Sequence, residues 1–153
     1  MSRRTPVAFL LVICSLLLAI ALGACGDDSL SAEQLRARAT AICTRTAAAT
    51  DRIAVPARPS EGGAFLAEGI AQLRVAARRL AALKAPEDLR ERYDRAVELA
   101  GEEVALIARH ERAIASGDDV IDTFRRLDDE LEPLTVQEDA YWRALEIPRC
   151  VRR

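Results

Sequence analysis

Lysine is almost missing from this chain. Lys84 stands alone, so arginine supplies nearly all of the 22 basic residues. Together with abundant alanine, that skew is what a GC-rich genome writes, and it reads as background. Histidine occurs once, at His110. One imidazole cannot assemble a zinc site here, since no free cysteine remains to join it. The residue three before His110 is Ile107, so the Glu-x-x-His pairs of di-iron bundles are absent. Aromatic residues make up 4% of the chain and do not interleave with its basic residues, unlike the stacking platforms that bind single strands. Neither sign of charge dominates, with 22 basic against 24 acidic residues, so no nucleic-acid partner is implied. There is no glycine-rich phosphate loop and no Gly-x-Ser-x-Gly turn. Strand formers in period-2 alternation are absent as well. No cofactor is indicated.

What the chain does have begins at its first residues. Ser2-Arg3-Arg4 is followed by an apolar run from Pro6 to Leu22 and then by Leu22-Gly23-Ala24-Cys25. A basic segment, an apolar segment and a small-residue cleavage site form a secretory signal, and the cysteine at its end makes it a lipoprotein signal with a lipobox. Residues 1–24 are then a cleaved signal peptide, cut between Ala24 and Cys25, and Cys25 is the lipidated first residue of the mature protein. The alternative is a retained transmembrane anchor, for which a run of about 17 residues is at the lower limit. Arg3-Arg4 raises the question of twin-arginine export. Thr5 and Pro6 displace the hydrophobic pair expected after it, which favours general secretion. Cleavage leaves 129 of 153 residues and, without Arg3 and Arg4, a net charge of about −4. That length suits one domain with its own core.

The cysteines then resolve by parity. Of four, Cys14 leaves with the signal peptide and Cys25 takes lipid. Cys43 and Cys150 remain, outside the cytoplasm, where disulfides persist, and two thiols allow one pairing. A Cys43–Cys150 bridge would close a loop of about 108 residues and stabilise the fold by about 4–5 kcal/mol on the chain-entropy model. Redox-catalytic pairs sit close in sequence, as in Cys-x-x-Cys, so this pair reads as structural.

Four amphipathic helices follow a short tether at residues 25–30, and the domain runs over 31–153. Ser31-Ala32-Glu33-Gln34 is a capping box. It opens a helix to about Arg52 or Ile53 with Leu35, Ala39, Ile42, Thr46, Ala49 and Ile53 on one stripe. Val55-Pro56-Ala57-Arg58-Pro59 stops it, and Gly62-Gly63 completes a loop. A second helix carries Leu66, Ile70, Leu73, Ala77 and Leu80 inward and ends near Lys84. Pro86 suits the first position of a third helix over about 87–115, with Glu87 and Asp88 at its positive end. Tyr93, Val97, Ala100, Val104, Ile107 and Ile114 mark its stripe, and Asp88–Arg92, Arg90–Asp94 and Glu91–Arg95 have ion-pair spacing. Gly117 ends it in the left-handed conformation, and Asp118 or Asp119 caps the fourth helix. That element, over about 119–146, carries Val120, Phe124, Leu127, Leu131, Leu134, Tyr141 and Leu145, with a kink or break at Pro133. Four helices on mostly short loops predict an all-α, up-down-up-down four-helix bundle with a kinked last helix.

Candidate chemistry is thin. His110 reads as a satisfied, partly exposed histidine at the stripe's edge. Asp118, Asp119, Asp122, Asp128, Asp129, Glu130 and Glu132 read as a helix cap and a solvated face, since their spacing does not match a calcium loop. Arg74, Arg78 and Arg79 read as a solvated basic patch. No metal ligands are assigned.

Four segments carry a resemblance: Leu22-Gly23-Ala24-Cys25, Ala41-Ile42-Cys43, Leu83-Lys84-Ala85-Pro86 and the closing Leu145-Glu146-Ile147-Pro148-Arg149-Cys150. Jointly they resemble small uncharacterised lipoproteins of actinobacterial type, over nearly the whole mature chain. The resemblance implies a secreted, anchored helical domain with an end-to-end disulfide. It carries over no catalytic residue.

The leading expectation is a non-enzymatic lipoprotein at the extracytoplasmic face of the cell membrane, held by acyl chains on Cys25 and binding or scaffolding an envelope protein. The second is a lipoprotein that holds a small molecule or lipid in a groove at Pro133, Tyr141 and Trp142. The third is a hydrolase, which would have to use His110 as its base. A large apolar pocket near Pro133, holding copurified lipid, would favour the second reading, and a filled core with an exposed apolar stripe on one helix the first.

Overall fold

The computed structural model describes residues 29–151. The signal segment, Ala24 and Cys25 lie outside them. Among the described residues the protein is four helices and no strand: α1 (Ala32–Thr50), α2 (Gly62–Ala81), α3 (Glu87–Ala115) and α4 (Val120–Ala144), with a 3-10 turn at Pro59–Glu61 before α2. This is the expected all-α four-helix bundle.

The helix ends are set by local chemistry. The Gln34 backbone N–H donates to Ser31 Oγ at 3.2 Å, and the Ser31 N–H donates to Gln34 Oε1 at 3.0 Å, so the capping box is complete. α1 stops at Thr50, about two residues early, and Asp51–Ile53 tightens into a turn. Pro86 is the cap of α3 rather than its first residue, with extended ψ of 157°. At the far end of α3 the Asp118 and Gly117 amides donate to the Ala113 and Ile114 carbonyls, both at 3.0 Å. That double bond is a Schellman closure, and Gly117 supplies the φ of 103° it demands. Asp119, not Asp118, caps α4 through the Asp122 amide at 2.9 Å.

Gly62 and Gly63 do not form a loop, because α2 begins at Gly62. The reason is space. A Cβ on Gly62 would sit 2.7 Å from Val120 Cγ1 and 2.9 Å from Phe124 Cε2, so the start of α2 lies directly against the start of α4. α4 runs unbroken through Pro133. A proline removes one backbone donor, and here Pro133 and Asp129, whose carbonyl loses its partner, are both exposed residues.

The core has two parts. One gathers Leu35, Ala39 and Ile42 of α1 with Leu80, Leu89, Tyr93, Trp142, Leu145 and Ile147. The other is built from α2, α3 and α4 alone, around Leu66, Ile70, Leu106, Ile107 and Leu127. α1 therefore helps close only the half of the bundle nearest the tether. Beyond Ile42 none of its residues is buried: Thr44, Arg45, Ala47 and Ala48 are exposed, and Thr46, Ala49 and Thr50 are half-buried. α3 lies between α2 and α4 and buries two faces. Besides Tyr93 and Ile107, it buries Leu89, Ala96, Leu99, Glu103, Leu106 and His110, while Val97, Ala100, Val104 and Ile114 are half-buried flanks. Arg95 turns from Glu91 to Glu98 and Glu102, at 2.6 and 3.2 Å.

After α4 the chain reverses over the bundle end. Glu146 holds φ at 61°, and the Ile147 amide donates to the Trp142 carbonyl at 2.9 Å. Arg36 braces this turn, its Nε donating to the Leu145 carbonyl at 2.9 Å and its guanidinium meeting the Glu146 carboxylate at 2.7 Å. Leu145 and Ile147 are fully buried, each contributing about 1.5–3 kcal/mol. Three residues after Ile147 the expected disulfide joins Cys150 to Cys43, with Cα atoms 5.2 Å apart across 107 residues of sequence.

Candidate functional site

Where α1 withdraws from the core, a cavity of about 700 Å³ opens. Thr46, Ala47 and Thr50 of α1 line one side, and Leu73, Ala76 and Ala77 of α2 the next. α3 supplies Ala100, Glu103, Val104 and Ile107, and α4 supplies Glu138 and Trp142. The tail closes the remaining side with Pro148, Arg149 and the Cys43–Cys150 bridge itself. The volume falls within the range of small-molecule sites.

The wall holds a polar layer that the two apolar clusters leave between them. Glu103 is 2% exposed and accepts a 2.7 Å hydrogen bond from the Thr135 hydroxyl. One turn along α4, Glu138 accepts from the Trp142 indole N–H at 2.6 Å. The Trp142 ring in turn meets Tyr93 edge-on, with centroids 5.9 Å apart. The Tyr93 hydroxyl donates to the Leu80 carbonyl at 2.8 Å, and burial, with Asp94 adding to it, pushes this phenol above its ordinary pKa. Such a network fixes the two carboxyl groups in place, because a buried polar group left unbonded is costly.

The three residues expected to share a groove are separated. Trp142 lines the cavity. Tyr141 edges a different, open depression among Glu91, Arg92, Asp94, Arg95 and Glu98. Pro133 is exposed and lines neither. Glu103 and Glu138 were not expected. Both occupy apolar phases, Glu103 midway between Leu99 and Leu106, and Glu138 in the gap of the α4 stripe between Leu134 and Tyr141.

His110 is not partly exposed and satisfied, as the sequence suggests. It is 5% exposed, and neither ring nitrogen has a hydrogen-bond partner among the described residues. Glu130 Oε1 stands 3.4 Å from Nε2, a contact without hydrogen-bond geometry. The same carboxylate pairs with Arg109. The remaining acids behave as cap and surface: Asp118 meets Arg126 at 3.2 Å and Asp122 meets Arg125 at 2.7 Å. Among the described residues no group of three or more His, Cys, Asp or Glu side chains is placed to hold a metal ion, and no helix is long and apolar enough to cross a membrane.

The described residues thus form an all-α bundle with a mixed polar and apolar cavity bounded by a disulfide, beside a separate open depression at Tyr141. Comparison with protein-family profiles, curated proteins and solved structures finds no match for this chain.

Proposed function

We propose that this chain is a lipid-anchored, non-enzymatic lipoprotein of the extracytoplasmic membrane face whose bundle binds a small ligand in the cavity behind α1. The single observation that carries the ligand half of this reading is the cavity of about 700 Å³ with its buried carboxyl groups. The partner-binding reading asks instead for an exposed apolar stripe. Among the described residues the large exposed apolar ones are Val55, Ile121 and Val136, single positions rather than a stripe. The hydrolase reading gains nothing from His110, whose ring nitrogens bond to no hydroxyl and no carboxylate. The anchor rests on Leu22-Gly23-Ala24-Cys25.

Native mass spectrometry of the processed protein, extracted gently from the envelope, tests the ligand reading. A small-molecule adduct is expected, and Ala47→Phe, which places a ring at the cavity mouth, should remove it. An adduct that survives Ala47→Phe, or a protein that carries none and whose Trp142 emission is unmoved by envelope extract, would overturn it.

A further inference from the structure

The cavity wall keeps its hydrogen-bond donors for itself. Thr46 and Thr50 of α1 line it, and both turn their hydroxyl protons back into the helix. Thr46 Oγ1 donates to the Ile42 carbonyl at 3.0 Å. Thr50 Oγ1 donates to the Thr46 and Ala47 carbonyls at 3.2 and 3.0 Å. The Trp142 indole N–H donates to Glu138 at 2.6 Å, and helix amides bond along their own helices. Glu103 and Glu138 are engaged within the wall's own network, with Thr135 and Trp142 among their partners. The other side-chain donors of the lining, on Thr44 and Arg149, belong to exposed residues at the rim. Away from the rim, the wall offers a guest hydrocarbon: Leu73, Ala76 and Ala77 of α2, and Ala100, Val104 and Ile107 of α3.

This decides what a ligand can carry inside. A carbonyl, ester or carboxylate taken against such a wall gives up its bonds to water. It finds no free side-chain donor among the described residues in return, and an unbonded acceptor is costly. A hydrocarbon has no such bonds to lose and gains by leaving water. On the cavity reading above, we infer that the ligand is an uncharged hydrocarbon body, with any oxygen it carries left at the rim beside Thr44 and Arg149.

The test uses the protein purified from the envelope in vesicles of uncharged phospholipid, dialysed to equilibrium with diphenylmethane or benzophenone. Vesicles without protein give the blank. The probes share two rings, and the benzophenone ketone lies between them, where it cannot stay at the rim while both rings are buried. Diphenylmethane should be retained saturably. The ratio of water-to-cyclohexane partition coefficients sets how much more weakly benzophenone should bind. It should exceed that expectation by no more than about fivefold, the scale of one hydrogen bond. Thr46→Val and Thr50→Val remove the hydroxyls, keep the shape and should leave both affinities unchanged, and Ala47→Phe should abolish both. Far-UV circular dichroism checks that each variant is folded. If a threonine variant unfolds, the two probes on the unaltered protein decide alone. Benzophenone bound more tightly than that limit, or weakened alone by either threonine variant, reveals a free donor in the wall. That result overturns the inference and leaves the cavity reading standing. No saturable retention of either probe, or retention that Ala47→Phe leaves intact, overturns both.

Discussion

Three glycines in this bundle should answer the same substitution with opposite signs. Gly69 in α2 and Gly101 in α3 sit in helix interiors, and a Cβ at either meets nothing within 4 Å. Alanine there gains helix propensity and a stiffer unfolded chain, worth about 0.5–1 kcal/mol each. Gly62 is the first residue of α2, where propensity counts for less, and its Cβ would meet Val120 Cγ1 at 2.7 Å and Phe124 Cε2 at 2.9 Å. Neither separation is tolerated, so the Val120 and Phe124 side chains must shift or α2 and α4 part at their starts, an overpacking cost of about 1–3 kcal/mol. For a domain of this size each kcal/mol moves the midpoint by about 3–5 °C. Thermal unfolding followed by circular dichroism should therefore give Gly69→Ala and Gly101→Ala rises of about 2–5 °C. Gly62→Ala should fall by about 3–15 °C. A rise for Gly62→Ala, or equal shifts at all three, would refute the contact between the starts of α2 and α4.

Further outcomes follow from the anchor, the bridge and the buried imidazole. Cys25→Ser should leave an unprocessed precursor without incorporated radiolabelled palmitate, and normal processing would refute the lipobox reading. Replacing Cys43 and Cys150 together by alanine should lower the unfolding free energy in urea by about 4–5 kcal/mol, and a loss under about 1 kcal/mol would show that the unfolded chain is not what the bridge constrains. His110→Leu removes a buried polar ring without hydrogen bonds and should raise stability by about 1–2 kcal/mol at neutral pH. Destabilisation instead would mean that the Glu130 contact matters more than its geometry indicates.

Helix ends were readable because their causes are local. Ser31 with Gln34, Gly117 after α3 and Asp119 before α4 each act within a few residues of their own position. The disulfide was readable from parity, once the signal reading set Cys14 and Cys25 aside. The second buried face of α3 was not, because one stripe describes a helix with one neighbour and α3 has neighbours on both sides. Nor was the cavity. It arises where the small and polar residues of α1 fail to follow the other three helices, a relation between elements that no single stripe contains. Its glutamates did leave a trace, since Glu103 falls in register with Leu99 and Leu106.

The tether is shorter than its sequence. The Leu30 amide donates to the Lys84 carbonyl at 2.8 Å, and Leu30 packs against the lower core. With Cys25 in the bilayer, only Gly26 to Ser29 are left to span, about 14 Å when extended. Thr46, at the cavity, lies fifteen residues up α1 from Ser31, a rise of about 22 Å. On the proposed anchoring, and with α1 upright, the bundle is a post planted on the membrane with its cavity above the lipid headgroups. The proposed ligand would then reach the cavity from the water or from a neighbouring protein rather than from the bilayer.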